Sequence, residues 1–266
     1  NDLKKFTLSI DIPSGLSSDH GNVEGEVVRA DMTVTFCRPK RCHLLYPAAE
    51  YVGKLKVIDI SIPVKIVADE NIKVHTIEKE DIRFLFKERK PASHKGTYGH
   101  LLIIGGSSGK GGAPAMAALS ALRIGTGLVS LAVPQSVNAS IEMNPLEVMS
   151  IPLPETKKGC VDSAAKETLI ESIKGKSALL IGPGIATQQE TIELLLTIIP
   201  EIKVSLVIDA DGLNCLSGHL DVLKSLKSPV IITPHPGEMS RLTGKSVNEI
   251  QTDRIGIAQG FASEYE

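Results

Sequence analysis

Residues 99–128 read GHLLIIGGSSGKGGAPAMAALSALRIGTGL, and the fold is decided there. Leu101–Ile104 form an unbroken apolar run, which suits a strand covered on both faces. Small and apolar residues from Ala113 to Ile124 predict a helix. Gly125-Thr126-Gly127 supply its stop, and LVSLAVP (128–134) predicts the next strand. Between the first strand and the helix, residues 105–112 hold five glycines in eight positions. Backbone N–H groups at a helix start, with glycines that admit a ligand close to the chain, make a cradle for an anionic, phosphate-bearing group. A plain turn is the alternative, but it needs fewer glycines. A Walker A loop would require Gly at 104 and Ser or Thr at 111, where Ile104 and Gly111 stand. A dinucleotide fingerprint from Gly105 would require glycines at Ser107 and Lys110. The loop is neither.

Downstream the same grammar repeats. SALLIGPGI (177–185) is a strand running into a Gly-Pro-Gly turn, followed by a helix over Gln188–Ile199. SLVIDADGLN (205–214) and PVIITPHPGE (229–238) are further strands with polar ends. Strands alternating with helices predict parallel βαβ units, whose ligands sit at the carboxyl ends of the strands. Gly182-Pro183-Gly184, Asp209 and Asp211, and His235 with Glu238 all fall there. For each aspartate a helix cap is as good a reading as a ligand contact. His235, held between two prolines, is either a hydrogen-bonded loop residue or, with Glu238, part of a site. Upstream, FTLSIDI (6–12) predicts a strand ending in Asp11 and broken by Pro13-Ser14-Gly15. Met32–Phe36 and Leu55–Ile60 predict two more. Residues 64–95 are charged, with a short helical pattern over Glu78–Lys87, and the run Arg89–Gly96 marks the domain boundary.

Composition narrows the class. The 266 residues carry a net charge of −2, which leaves no basic footprint for nucleic acid. With 3% aromatics and no Trp, the core is expected to be aliphatic. Cys37, Cys42, Cys160 and Cys215 lack zinc or CxxC spacing and are expected as reduced thiols of a cytoplasmic protein. No apolar run reaches membrane-span length and no leader is visible. The chain opens on Asn1 and closes at Glu266 within an amphipathic pattern (Ile250, Ile257, Phe261), so both ends read as cuts in a longer protein.

Two sets of motifs resemble a known family. Asp11-Ile12-Pro13-Ser14-Gly15-Leu16, Arg29-Ala30-Asp31 and Val34-Thr35-Phe36 are similar to the last part of NAD(P)H-hydrate epimerase domains. Lys95-Gly96, GGSSGKGGAPAMAALSALRIGTGLV, IGPGI, DADGLN and TPHPGE resemble ADP/ATP-dependent NAD(P)H-hydrate dehydratase domains. In this order they resemble the bifunctional NAD(P)H-hydrate repair enzymes. The resemblance implies an α/β protein: a Rossmann-like epimerase piece (1–67), a linker with a short helix (68–94) and a ribokinase-like α/β/α dehydratase domain (95–266), C-terminally incomplete. It implies epimerisation of hydrated NADH or NADPH (NADHX, NADPHX) and ADP- or ATP-dependent dehydration of the S form, in a homo-oligomer.

By motif position, the resemblance makes Asp11 a catalytic and substrate-contacting residue and Ser14 a ligand of K+. Ala113, Gly184 and His235 would line the hydrated-cofactor site, and Glu238 would orient Mg2+ through water. The family's nucleotide loop and catalytic aspartate would lie beyond Glu266, so the expectation for this stretch alone is little or no turnover. Ser17-Ser18 replaces a usually acidic position and reads as loop variation. Two rivals remain: a ribokinase-like small-molecule kinase, and a non-catalytic nucleotide-binding fragment.

Overall fold

The computed structural model describes residues 5–69, 72–86, 88–141 and 147–265. Lys87, where the expected helix over Glu78–Lys87 closes, and Glu266 lie outside them; the described helix is Lys79–Arg83. The chain forms two compact units, Asn1–Glu88 and Arg89–Glu266. Among the described residues no helix is long and apolar enough to cross a membrane.

The first unit carries a parallel three-stranded sheet, β1 (Leu8–Ile10), β2 (Met32–Phe36) and β3 (Lys54–Ile58), in that spatial order. Its alternation is inverted relative to a simple amphipathic strand. Ser9, Thr33 and Thr35 are buried, whereas Leu8 is 52% and Ile10 71% exposed. Ser9 pairs with Thr33 in register, so the covered face is the polar one. Thr33 satisfies its hydroxyl by donating to the Val52 carbonyl at 2.7 Å. Among the described residues of this unit nothing covers the apolar side of β1.

The second unit is built on β4 (His100–Ile104), β5 (Leu128–Pro134), β6 (Met149–Leu153), β7 (Ala178–Ile181), β8 (Ser205–Ile208) and β9 (Val230–Ile232). All pairings are parallel and the spatial order is β6-β5-β4-β7-β8-β9. Two aliphatic cores sandwich the sheet. Leu102, Ile104, Leu179 and Ile181 enter one, with helices Gln189–Ile198, Asp211–Leu216 and Pro236–Thr243. Ile103, Val129, Leu131 and Val133 enter the other, against Ala118 of helix Gly112–Ile124. Successive residues of β4 thus face opposite cores, which is why its sequence is an unbroken apolar run.

Helix Gly112–Ile124 starts where expected because Pro114 falls in its first turn, where no N–H is required. It ends at Gly125, whose φ of 111° only glycine adopts cheaply. Arg89 donates to the Gly125 carbonyl at 2.7 Å and stacks over Tyr98, so residues from 89 onward belong to this unit. The edge strand β6 carried no clear signal, because Pro152 interrupts its short run.

Candidate functional site

The order of the second sheet reverses between β4 and β7, the switch point beside which ligands bind in open parallel sheets. The glycine-rich loop and the Gly-Pro-Gly turn meet there. Gly106 N–H donates to the Pro183 carbonyl at 2.9 Å. The buried Ser107 hydroxyl donates to the Gly184 carbonyl at 2.8 Å. A Cβ on Gly184 would lie 2.7 Å from the Lys110 carbonyl oxygen and 3.4 Å from Ala113 Cβ, so small residues let these segments touch. Beside them a cleft of about 380 Å³ is bounded by Ser108, Gly109, Gly112, Ser136 and Ser140.

The next strand ends line the same edge. Lys110 Nζ lies 3.0 Å from Asp211 Oδ2, which also accepts from Ala186 N–H at 3.2 Å. Asn214 donates to Asp211 Oδ1, and Arg241 donates to Asn214 Oδ1 at 3.0 Å. Burial pulls the Asp211 carboxyl upward, but the donors from Lys110 and Asn214, with the Lys110 charge and the Ala186 N–H, hold it below the usual aspartate value. Asp209 accepts from the Thr233 hydroxyl at 2.7 Å, tying the ends of β8 and β9.

His235 caps helix Pro236–Thr243. Its Nδ1 accepts from the N–H groups of Gly237 and Glu238, which leaves the proton on Nε2, 3.1 Å from Glu238 Oε1. Glu238 Oε2 accepts from His235 N–H at 2.8 Å. Both oxygens of the buried Glu238 are therefore engaged within the cap. The imidazole remains 63% exposed at the strand edge. Ala113 and Gly184 are neighbours, while His235 follows β9, two strands from β7, on the order of 10 Å along the edge by ordinary strand spacing.

In the first unit Asp11 follows β1 with φ 65°, the left-handed region, costing about 1 kcal/mol or more for a non-glycine residue. Its N–H is tied to the Val34 carbonyl at 2.7 Å. Oδ1 accepts from Thr35 at 2.8 Å and from Lys40 Nζ at 2.5 Å. Lys40 also donates to the Thr35 hydroxyl and the Phe36 carbonyl. The Lys40 hydrogen bond holds the Asp11 carboxyl below the ordinary range against a smaller upward pull from burial. Ser14 is exposed on the loop after β1 and its carbonyl accepts from Val28 N–H. Gly15 beside it is obligatory, since a Cβ would stand 2.3 Å from the Glu26 carbonyl. Among the described residues no group of three or more His, Cys, Asp or Glu is arranged to hold a metal.

Sequence reasoning passed over Ser107, the Lys110–Asp211 pair and Lys40. Lys110 stands inside the glycine loop, where the local pattern offers only the nucleotide fingerprints that it fails to meet. The partners of Lys40 and Lys110 lie 29 and 101 residues away, beyond any local pattern.

Helices on both faces of this parallel sheet, with glycine turns at its switch point, define the second unit as a ribokinase-like α/β/α domain. A ribokinase-like superfamily protein from Enterococcus faecalis shares the fold with TM-score 0.55 at 19% identity, over 67% of this chain and 58% of that chain. A family model described as NAD(P)H-hydrate dehydratase matches residues 101–266, and one described as YjeF-related protein N-terminus matches residues 1–42. The chain belongs to the NAD(P)H-hydrate dehydratase family. A crystal structure of ADP/ATP-dependent NAD(P)H-hydrate dehydratase from Bacillus subtilis, co-crystallised with ATP and Mg2+, matches with TM-score 0.53 at 28% identity, over 70% of this chain and 62% of that one. The bifunctional NAD(P)H-hydrate repair enzyme of Moorella thermoacetica is 39% identical over 266 residues, covering 100% of this chain and 50% of the relative. The chain spans about half the length of the curated relatives it matches.

Proposed function

We propose that the complete protein repairs hydrated NADH and NADPH, with an epimerase half containing the first unit and a dehydratase half containing the second. The observation that carries the dehydratase reading is the β4–β7 switch, where Gly184 lets its backbone approach that of Lys110, beside Ala113 in the first turn of a helix. Such a surface accepts a phosphate-bearing ligand against backbone N–H groups. Ala113 and Gly184 form the wall of the hydrated-nicotinamide site, and the exposed imidazole of His235 contacts the same ligand further along the edge. The reaction is phosphoryl transfer from ADP or ATP to the ring hydroxyl, followed by departure of phosphate with the C–O electrons and loss of a proton from the neighbouring carbon. The two carboxylate oxygens of Glu238 are engaged in the cap, so it serves Mg2+ only through water.

In the epimerase half Asp11 contacts the hydrated ring. Held ionised, it acts as acceptor or base rather than as acid. Ser14 fits potassium in that it is exposed and its hydroxyl is a hard oxygen ligand. The test is turnover by the full-length gene product given hydrated NADH, Mg2+, K+ and ADP or ATP. Recovery of NADH absorbance together with release of inorganic phosphate is expected. A stable phosphorylated product without reduced cofactor would establish a small-molecule kinase instead.

A further inference from the structure

The Asp11 cluster is more ordered than a surface ion pair needs to be. Lys40 and Asp11 are partly exposed, with side-chain accessibilities of 26% and 39%, and pairs of this kind add little to stability. Yet one ammonium is held by three acceptors at once: Asp11 Oδ1, the Thr35 hydroxyl and the Phe36 carbonyl. Thr35 is itself fully buried and donates to the same Asp11 oxygen, so Oδ1 receives two donors that fix the plane of the carboxylate. The backbone adds to this, because Asp11 N–H is bonded to Val34 and φ is held at 65°. Lys40 is anchored from behind by His43, whose Nδ1 accepts the Lys40 backbone N–H at 3.0 Å. The Phe36 backbone adds a further hydrogen bond to the same carboxyl.

We propose that Lys40 is a positioning residue for Asp11, clamping Oδ1 and so fixing the orientation in which the carboxylate meets the hydroxyl-bearing nicotinamide ring. This rests on the reading of Asp11 as the residue that contacts the hydrated cofactor. Lys40 does two things in that role. It removes the rotational freedom of the carboxylate, and its charge keeps the carboxylate an acceptor across the physiological range. The other titratable groups at this corner do not substitute for it. Burial lowers the His43 pKa and leaves the ring neutral, and burial raises that of the Cys42 thiol. Asp19 adds only negative charge near Cys42.

The test compares Lys40→Met, Lys40→Arg and Asp11→Asn in the full-length protein, assayed for interconversion of the two epimers across pH. Lys40→Met is expected to lower kcat about tenfold or more with a small change in KM. The acid limb of its pH profile is expected to move upward, because the carboxylate loses the charge that holds its pKa down. Lys40→Arg is expected to restore most of the rate and return the limb. A carbon-13 titration of the Asp11 carboxyl reads the same shift without turnover. If Lys40→Met keeps the wild-type kcat, acid limb and carboxyl titration while Asp11→Asn is inactive, Lys40 does not position Asp11. Equal loss in Lys40→Met and Lys40→Arg, with an unmoved carboxyl titration and a lowered melting temperature, would show a merely structural role and equally overturn it. Should Asp11→Asn epimerise normally, it is the reading of Asp11 that fails.

Discussion

Gly182 takes φ 125°, and a Cβ there would stand 1.8 Å from the Asp209 carbonyl oxygen and 2.7 Å from Gly212 N. Neither neighbour is a flexible side-chain tip, so nothing local can yield. Gly182→Ala is expected to destabilise the second unit by about 3 kcal/mol or more in urea unfolding. Gly175→Ala, at φ 72° with open space around it, should cost only about 1 kcal/mol. Burial pushes the Cys215 thiol up to about 12, so it is expected to resist thiol reagents at neutral pH until the protein unfolds. Labelling of Cys215 in the native protein at the rate of a free thiol would contradict this burial.

Asp211 offers a test of sign. Its folded pKa lies below the ordinary value, so its stabilising contribution is present above the carboxylate range and is lost as pH falls through the folded value. Melting temperature should therefore fall less steeply in Asp211→Asn than in the wild type between about pH 5 and about pH 3. An identical pH dependence would show that the Lys110 ion pair does not hold in solution.

At the scale of elements, the start of helix Pro236–Thr243 carries two separable roles. As its cap, His235 donates no special chemistry, and Asn caps a helix as well. His235→Ala is expected to cost about 1 kcal/mol, whereas His235→Asn should leave stability within a few tenths. If the exposed imidazole also contacts the hydrated cofactor, His235→Asn weakens that binding while the melting temperature holds. Unchanged binding in both variants would reduce His235 to a cap. The HPGE stretch was visible in the sequence as a polar strand end. Its capping geometry was not, because it depends on an imidazole nitrogen turning back onto the backbone.

For the whole second unit, the proposed ligand site lies at the β4–β7 switch of the sheet order. A larger apolar groove of about 460 Å³ runs along the edge strand β9, flanked by Ile231, Met239, Phe261 and Tyr265. Volume alone would favour that groove, but it lacks the glycine backbone and polar convergence of the β4–β7 switch. Hydrogen exchange in the presence of hydrated NADH should slow at 105–113 and 182–186 and leave Val230–Ile232 unchanged. Protection confined to β9 would move the site.

The sequence by itself determined the parallel βαβ grammar, the glycine loop and its helix, and the family to which the chain belongs. These follow from local rules. Apolar runs mark two-sided strands, Gly125 can only end its helix, and the glycines of 105–112 leave the backbone open to a ligand. The tertiary structure alone decided what the polar side chains meet. Lys40 finds Asp11 across 29 residues and Lys110 finds Asp211 across 101. It also decided that β1 buries Ser9 and exposes Ile10. An alternating strand has two possible inward faces, and only its neighbours choose between them. Ion pairs likewise form where converging strand ends bring their partners together, and no spacing along the chain records that meeting.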